Sequence, residues 1–274
     1  MTNHTTMIGK YADAATQIVD RGYARCPLIP PHRSALDSLR AAAAQFFAAD
    51  LEWKLQFSGD GYGYEEYGNR WGSPDVDDPA QRDECERLDS WAGHPLPNAH
   101  RMPALDSALE RWHRAASQVV GHVLDGVAAH YGQQRDWDFR PTSWVEVSCY
   151  GTPSERELLI TPHTDGQLIT VLTPNAPGLE AQTDDAMAAI PADPDEVIIF
   201  PGELMAAMTD GQIQPLSHQV RNLRVPMRLS VMYFASTPFT GYVAPFAGAA
   251  GDISSQALKR CTAYGQHLPA DLLP

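Results

Sequence analysis

The sequence predicts a mainly β fold with flanking helices, because the distribution of apolar residues changes part-way along the 274-residue chain. From Trp144 onward, short apolar runs are separated by Pro and Gly, which is typical of a sandwich or barrel and not of a parallel α/β sheet. Before residue 140, apolar residues recur at helical spacing. We therefore expect a helical N-terminal region followed by a β core.

Three helices are predicted in the N-terminal region. The first covers residues 5–20 and stops at Gly22, which suits the left-handed conformation that often follows a helix. The second covers residues 34–57, with Ser34 as its cap. The third begins at Pro103, a favourable first helical position, and ends before Gly132.

Four strands and one long loop complete this prediction. The strands cover residues 144–150, 168–172, 197–200 and 228–235. Residues 59–98, between the second and third helices, are rich in Gly, Tyr, Asp and Pro and show no clear periodicity. A loop of this length inside a compact domain is either functional or poorly ordered.

Charge and cysteine content limit the classes of function. The formal net charge is −14, a field that repels phosphate backbones and anionic lipid, so we expect neither nucleic-acid nor membrane-surface binding. No secretory signal and no apolar run of about 18 residues is visible. We therefore expect a cytoplasmic protein with reduced thiols at all four cysteines, Cys26, Cys85, Cys149 and Cys261.

One short motif in the β region suggests a metal site. His163-Thr164-Asp165 is the only H-x-D in the chain, and residues i and i+2 of a strand point to the same face. A second imidazole, from His218, would complete a triad of two histidines and one carboxylate, which suits Fe(II) and leaves coordination positions open. The alternative is that His163 and His218 are ordinary core histidines.

A second motif suggests a carboxylate site. Arg228-Leu229-Ser230 is the only R-x-S in the chain and begins an apolar strand. Arg228 and Ser230 would share a face and could hold one carboxylate, the guanidinium through two hydrogen bonds and the hydroxyl through a third. A surface position is the alternative for Arg228.

In this order, the motifs resemble those of the isopenicillin N synthase-like branch of the Fe(II)/2-oxoglutarate-dependent oxygenases. The stretch TPHTD (161–165) resembles the family's H-x-D strand, and PGLEA (177–181) resembles its glycine-leucine turn. HQV (218–220) and RLS (228–230) resemble its H-R-V and R-x-S. The resemblance implies a double-stranded β-helix, or jelly roll, behind the N-terminal helices.

The resemblance also implies roles for individual residues. Fe(II) would be bound by His163, Asp165 and His218, and the distal carboxylate of the cosubstrate 2-oxoglutarate by Arg228 and Ser230. Tyr150 stands where the family often has a tyrosine near the other end of the cosubstrate. Ser148 replaces the asparagine that commonly stands two positions before it, which puts the role of Tyr150 in question.

The implied protein is a dioxygenase that uses O2 to hydroxylate, desaturate or cyclise a small molecule, such as an amino acid or a natural-product intermediate. The retained Asp165 argues against halogenation, because related halogenases lack this carboxylate. Three alternatives stay open: an oxidase on the same fold that takes no 2-oxoglutarate, a non-catalytic jelly-roll binding protein, and a zinc hydrolase. No oligomeric state is predicted.

The Tyr-rich segment has two interpretations. Tyr62, Tyr64, Tyr67 and Arg70 could line a substrate pocket, with Arg70 pairing with an anionic group. They could instead pack the N-terminal helices onto the barrel.

We expect a single domain over residues 1–274. Residues 1–140 would form the helical N-terminal region with the substrate loop, residues 141–240 the jelly-roll core with the metal site, and residues 241–274 a C-terminal segment.

Overall fold

The β core of the computed structural model consists of two antiparallel sheets. The structure describes residues 2–60, 62–68, 82–151, 153–183, 186–249, 251–263 and 268–272. In chain order, the strands within these ranges are β1 (Ala24–Pro27), β2 (Gly63–Glu65), β3 (Glu86–Trp91), β4 (Trp144–Tyr150), β5 (Leu158–His163), β6 (Ile169–Pro174), β7 (Leu179–Thr183), β8 (Ala186–Ala189), β9 (Glu196–Pro201), β10 (His218–Arg221) and β11 (Arg228–Ala235).

A cavity lies between the two sheets. The larger sheet has the order β1-β9-β6-β11-β4-β3-β2, and the smaller has the order β5-β10-β7-β8. Side chains from both sheets line the cavity, including Ser148 and Ser230 from the larger and Ile160 and Val220 from the smaller. This arrangement confirms the predicted mainly β fold with a jelly-roll core.

Helices cover the outer face of the larger sheet. In chain order they are α1 (Thr2–Arg21), α2 (Pro30–Phe47), α3 (Leu51–Lys54), α4 (Pro103–His130), α5 (Glu203–Met208) and α6 (Ser254–Ala263). The apolar stripe of α4 is buried against α1, α2 and strands β4, β6 and β11. The first and third predicted helices are confirmed, and α4 begins at Pro103 as expected.

The second predicted helix was wrong at both ends. It begins at Pro30, four residues before Ser34, and its N-cap residue Ile29 makes no side-chain capping bond. Proline is tolerated at the start of a helix because its missing N–H has no helical partner there. The helix ends at Phe47, and residues 51–57 form the separate short helix α3 and a 3-10 turn.

The prediction of one long loop over residues 59–98 was also wrong. Strand β3 pairs with β4, and β2 pairs with β3 at the edge of the larger sheet. The sequence of β3 does not show the apolar pattern of a buried strand, because polar residues such as Arg87 and Asp89 are buried in it. Residues 69–81 lie outside the described ranges.

Strand β4 is buried on both faces, although its sequence alternates between apolar and polar residues. Val145 and Val147 belong to the main apolar core, while Glu146, Ser148 and Tyr150 line the cavity. The polar positions of this strand therefore face the candidate site and not solvent.

All four cysteines are buried and unpaired, as expected of reduced thiols. Within the described part of the chain, no helix is long and apolar enough to cross a membrane. The single-domain organisation stays a prediction.

Candidate active site

The cavity between the sheets brings together the three predicted metal ligands. One donor atom from each of His163, Asp165 and His218 lies within 4.8 Å of the others. Nε2 of His163 is 3.6 Å from Oδ1 of Asp165, and Nε2 of His218 is 3.8 Å from the same oxygen. The three donor atoms therefore converge on one point, as the ligands of a single ion must.

Strand pairing places the two histidines side by side. His163 is the last residue of β5 and His218 the first of β10, and the two are direct partners across the ladder. Their ring centroids are 4.3 Å apart. Asp165 lies beyond the end of β5, in a turn, so the prediction that a strand carries both residues of H-x-D was wrong.

Both imidazoles are oriented through their Nδ1 atoms. Nδ1–H of His163 donates to the carbonyl oxygen of Thr161 at 2.9 Å, and Nδ1–H of His218 donates to that of Leu216 at 3.2 Å. Because a carbonyl only accepts, each Nδ1 carries the proton and each Nε2 presents its lone pair to the cavity. Burial, followed by the charge on His163, lowers the pKa of His218 to about 4, so this ring is neutral near pH 7.

Asp165 is held by contacts from two other segments. The hydroxyl of Thr170, on β6, donates to Oδ2, which leaves Oδ1 to face the histidines. The backbone N–H of Glu203 donates to the carbonyl oxygen of Asp165 at 2.8 Å. A Cβ at Gly202 would lie 2.6 Å from that carbonyl and 2.2 Å from the carbonyl of Gln167, so this close approach requires glycine.

A polar chain connects the metal-binding turn to the C-terminal helix. Thr164, between the two ligands of H-x-D, donates its hydroxyl to Oε1 of Glu203 at 2.9 Å. Oε2 of Glu203 accepts a hydrogen bond from Arg260 on α6. These contacts fix the turn from the side away from the cavity.

Arg228 lies in the same cavity and is only 2% exposed. Its Nη1 donates to Oγ of Ser230 at 2.7 Å and its Nε to the carbonyl oxygen of Pro177 at 3.2 Å. Its buried Nη2 has no hydrogen-bond partner among the described residues. No carboxylate among the described residues pairs with this guanidinium, so its buried positive charge is uncompensated and its Nη2 remains a free donor.

Tyr150 lies at the Arg228 end of the cavity, whereas the resemblance placed it near the other end of the cosubstrate. The guanidinium carbon is 4.8 Å from the centroid of the Tyr150 ring, because β4 and β11 pair these residues directly. Gly178 contributes to the same corner with φ of 124°. A Cβ there would lie 2.8 Å from the carbonyl of Arg221 and 3.5 Å from Nε of Arg228.

Tyr62, Tyr64 and Tyr67, three of the four predicted substrate residues, are not among the described residues that line this cavity. Tyr64 is buried and donates to Glu86 at 2.9 Å, and Tyr67 donates to Glu84. Tyr62 packs against the main apolar core. These positions favour packing over substrate contact, and Arg70 lies outside the described residues.

Several cavity or supporting residues have no motif in the sequence. Thr170, Gly202 and Glu203 act on Asp165 from distant segments, so no local pattern predicts them. Glu146 was predictable, because it lies two residues before Ser148 and four before Tyr150 on β4. The alternation of a strand would then place it in the same cavity.

Comparison with known proteins finds a family similarity in the β core of the chain. Residues 141–237 match the sequence model of the 2OG-Fe(II) oxygenase superfamily, and this range holds both histidines, Asp165, Arg228 and Ser230. This match covers the β core of the chain and does not include its N-terminal helices.

Individual members of the superfamily resemble the chain over different lengths. The 2-oxoglutarate-dependent dioxygenase 21 of Oryza sativa subsp. japonica is 23% identical over 68% of this chain and 59% of its own length. Deacetoxycephalosporin C synthase of Amycolatopsis lactamdurans is 29% identical over 50% of this chain and 45% of its own. The chain therefore spans less than two thirds of the length of either relative.

One solved structure shows the same fold over nearly the whole chain. It is that of a full-length Neurospora crassa protein in complex with alpha-KG. The two superpose with a TM-score of 0.77 at 17% identity, covering 95% of this chain and 92% of the Neurospora crassa protein. This likeness extends the shared fold beyond the core to the N-terminal helices.

Proposed function

We propose that this chain is an Fe(II)- and 2-oxoglutarate-dependent dioxygenase that oxidises a small organic molecule. The observation that carries the proposal is the presence of two complementary sites in one cavity. One is the convergence of Nε2 of His163, Nε2 of His218 and Oδ1 of Asp165. The other is the buried Arg228, whose Nη2 has no partner in the described part of the chain.

The donor set suits the proposed metal. Two neutral imidazoles and one carboxylate form a facial triad that leaves coordination positions for a chelating cosubstrate and oxygen. When bound, Fe(II) supplies the activation of O2 and the redox chemistry that amino-acid side chains lack. In each turnover, 2-oxoglutarate and O2 would give succinate and CO2 while the substrate is oxidised.

The side chains of this protein would then bind and orient. Nη2 of Arg228 donates to the distal carboxylate of 2-oxoglutarate, and Ser230, whose oxygen already accepts from Nη1, donates its hydroxyl proton to the same group. Tyr150 covers the guanidinium and excludes water from this end of the cavity. Thr170 keeps Oδ1 of Asp165 turned toward the two Nε2 atoms.

The substrate is proposed to be a small molecule, such as an amino acid or a natural-product intermediate, oxidised in the cytoplasm. The Neurospora crassa protein of the same fold has also been crystallised with thymine, and other relatives are gibberellin 2-beta-dioxygenases. Small organic compounds therefore recur among the related proteins, which supports this class and not a macromolecular substrate.

Succinate formation tests the proposal. Protein purified without oxygen is given Fe(II), 2-oxoglutarate, ascorbate and O2, and succinate and bound iron are measured together. Slow consumption of 2-oxoglutarate without substrate makes this possible before the substrate is known. We expect succinate from the wild type and none from His163→Ala. His130→Ala, which changes an exposed histidine on α4, is the matched control and should behave as the wild type.

The outcomes separate the alternatives. Iron binding without succinate formation would favour the oxidase that takes no 2-oxoglutarate. Failure of the wild type to bind iron would refute the proposal and favour a non-catalytic binding protein. Equal succinate formation by His163→Ala would show that the metal lies elsewhere.

A further inference from the structure

A second charged cluster lies in the same cavity and takes no part in the proposed binding of metal or 2-oxoglutarate. It consists of Asp83, Arg87 and Glu146, which we call the acidic cluster. Nε of Arg87 donates to Oε1 of Glu146 at 3.0 Å, and Nη2 of Arg87 donates to Oδ2 of Asp83. The three residues are 2%, 7% and 6% exposed respectively, so the whole cluster is buried.

The backbone brings the cluster together from separate parts of the chain. Arg87 lies on β3 and Glu146 on the adjacent β4, while Asp83 lies in the segment that leads into β3. Ser148, two residues along β4 on the same face, donates its hydroxyl to Oε1 of Glu146 at 2.8 Å. Glu146 therefore lies on the same strand as Tyr150, and the cluster lies within the cavity of the proposed metal site.

One acceptor of the cluster has no partner. Oδ1 of Asp83 is buried and accepts no hydrogen bond from any described residue. The cluster contains two carboxylates and one guanidinium, so its formal charge is negative. A purely structural ion network is stable only when its buried charges are paired and its polar atoms satisfied. Asp83 departs from that requirement, because its buried Oδ1 lines the cavity of the proposed metal site without a partner among the described residues.

An anionic substrate group fits this cluster poorly. Two of the three nitrogens of Arg87 already donate to carboxylates, and an incoming anion would also face the free oxygen of Asp83. A cationic group that carries N–H donors would satisfy this oxygen and neutralise the excess charge.

We infer that the acidic cluster is the substrate-recognition subsite and that it takes a substrate with a protonated amine or amidine. This inference rests on the proposed function, because it assigns the substrate of that site. Asp83 accepts directly from the substrate cation. Arg87 acts as a positioning residue that holds both carboxylates in place.

Binding of small probes of equal size but opposite charge tests the inference. The full-length protein is loaded with Mn(II) and 2-oxoglutarate, and benzylammonium and benzoate are titrated separately by calorimetry near pH 7. We expect benzylammonium to bind more tightly than benzoate. Asp83→Asn keeps the shape of the side chain but removes its charge, and it should weaken benzylammonium binding by about 10- to 100-fold.

Glu84→Gln is the matched control, because Glu84 is the neighbouring carboxylate and lies outside the cavity, where it pairs with Arg156 and Tyr67. It should leave benzylammonium binding unchanged. The affinities of Asp83→Asn for Mn(II) and 2-oxoglutarate should equal those of the wild type.

Tighter binding of benzoate, no binding of benzylammonium, or equal binding by Asp83→Asn would each overturn the inference. If Asp83→Asn does not fold, the charge preference of the wild type still decides it. The two proposals fail separately. Succinate formation with no effect of Asp83→Asn would refute only the subsite, whereas Asp83-dependent amine binding without succinate formation would refute only the proposed reaction.

Discussion

Replacing Arg228 by methionine should weaken 2-oxoglutarate binding by at least about 100-fold without destabilising the fold. In the structure, the guanidinium has one free donor, Nη2. Its Nη1 donates to the oxygen of Ser230 and so orients the Ser230 hydroxyl, which is the second donor to the ligand. A hydrogen bond to a charged group contributes about 1.5–3 kcal/mol. Loss of both corresponds to about 3–6 kcal/mol, or an affinity about 10²- to 10⁴-fold lower. Ser230→Ala removes one of the two and should weaken binding about 10- to 100-fold.

Although Arg228→Met weakens 2-oxoglutarate binding, the same contacts predict that it does not destabilise the ligand-free protein. Burial lowers the pKa of Arg228, although the Tyr150 hydroxyl partly offsets this, and no described carboxylate pairs with the guanidinium. An uncompensated buried charge costs several kcal/mol, so an apolar side chain of similar length should leave the ligand-free protein equally stable or more stable, by about 1 kcal/mol. In a chain of this size, that raises the melting temperature by about 2–4 °C.

Thermal unfolding with and without 2-oxoglutarate, in the presence of Mn(II), measures both effects. At about 100 times its dissociation constant, 2-oxoglutarate stabilises the wild type by about 2.7 kcal/mol. This shift should vanish in Arg228→Met and persist in Arg224→Met, which changes an exposed arginine. A ligand-induced shift retained in Arg228→Met, or a large loss of stability without ligand, would refute the reasoning.

Three further predictions concern the supports of the site and the helical layer. Thr170→Val removes the hydrogen bond to Asp165 and should weaken Mn(II) binding about 10- to 100-fold by calorimetry, whereas unchanged affinity would contradict an orienting role. Gly202→Ala should lower stability by about 1–3 kcal/mol in urea denaturation, because its Cβ would lie 2.6 Å from the Asp165 carbonyl; full stability would mean that the backbone shifts freely. Burial lowers the pKa of His113 to about 4, although its Nε2–H donates to the Ser90 carbonyl at 2.8 Å. An unfolded histidine titrates near pH 6.5, so between about pH 6.5 and 4 the unfolded chain binds more protons and stability should fall by about 1–3 kcal/mol as pH is lowered. His113→Gln should flatten this dependence in urea denaturation at several pH values, and an unaltered slope would assign it to other groups.

The sequence alone was sufficient for the metal triad and the carboxylate clamp, because each depends on short spacings. His163 and Asp165 are two residues apart, and so are Arg228 and Ser230. The helical stripe of α4 was predictable for a similar reason, since its apolar residues recur with the period of one element. The family resemblance then added the order in which these local motifs occur.

Only the tertiary structure decided which polar residues join the site. In the sequence, Asp83 and Arg87 have the character of ordinary solvated charges. Pairing of β3 with β4 buries them in one cavity with Glu146, although Arg87 and Glu146 are 59 residues apart. Asp165 is a second case, since it lies in a turn and owes its orientation to Thr170 and to the backbone at Gly202. The sequence determined residue types and local periodicity. Which residues are buried and in contact depends on how distant segments pack, and the free energy of that packing is a property of the whole fold.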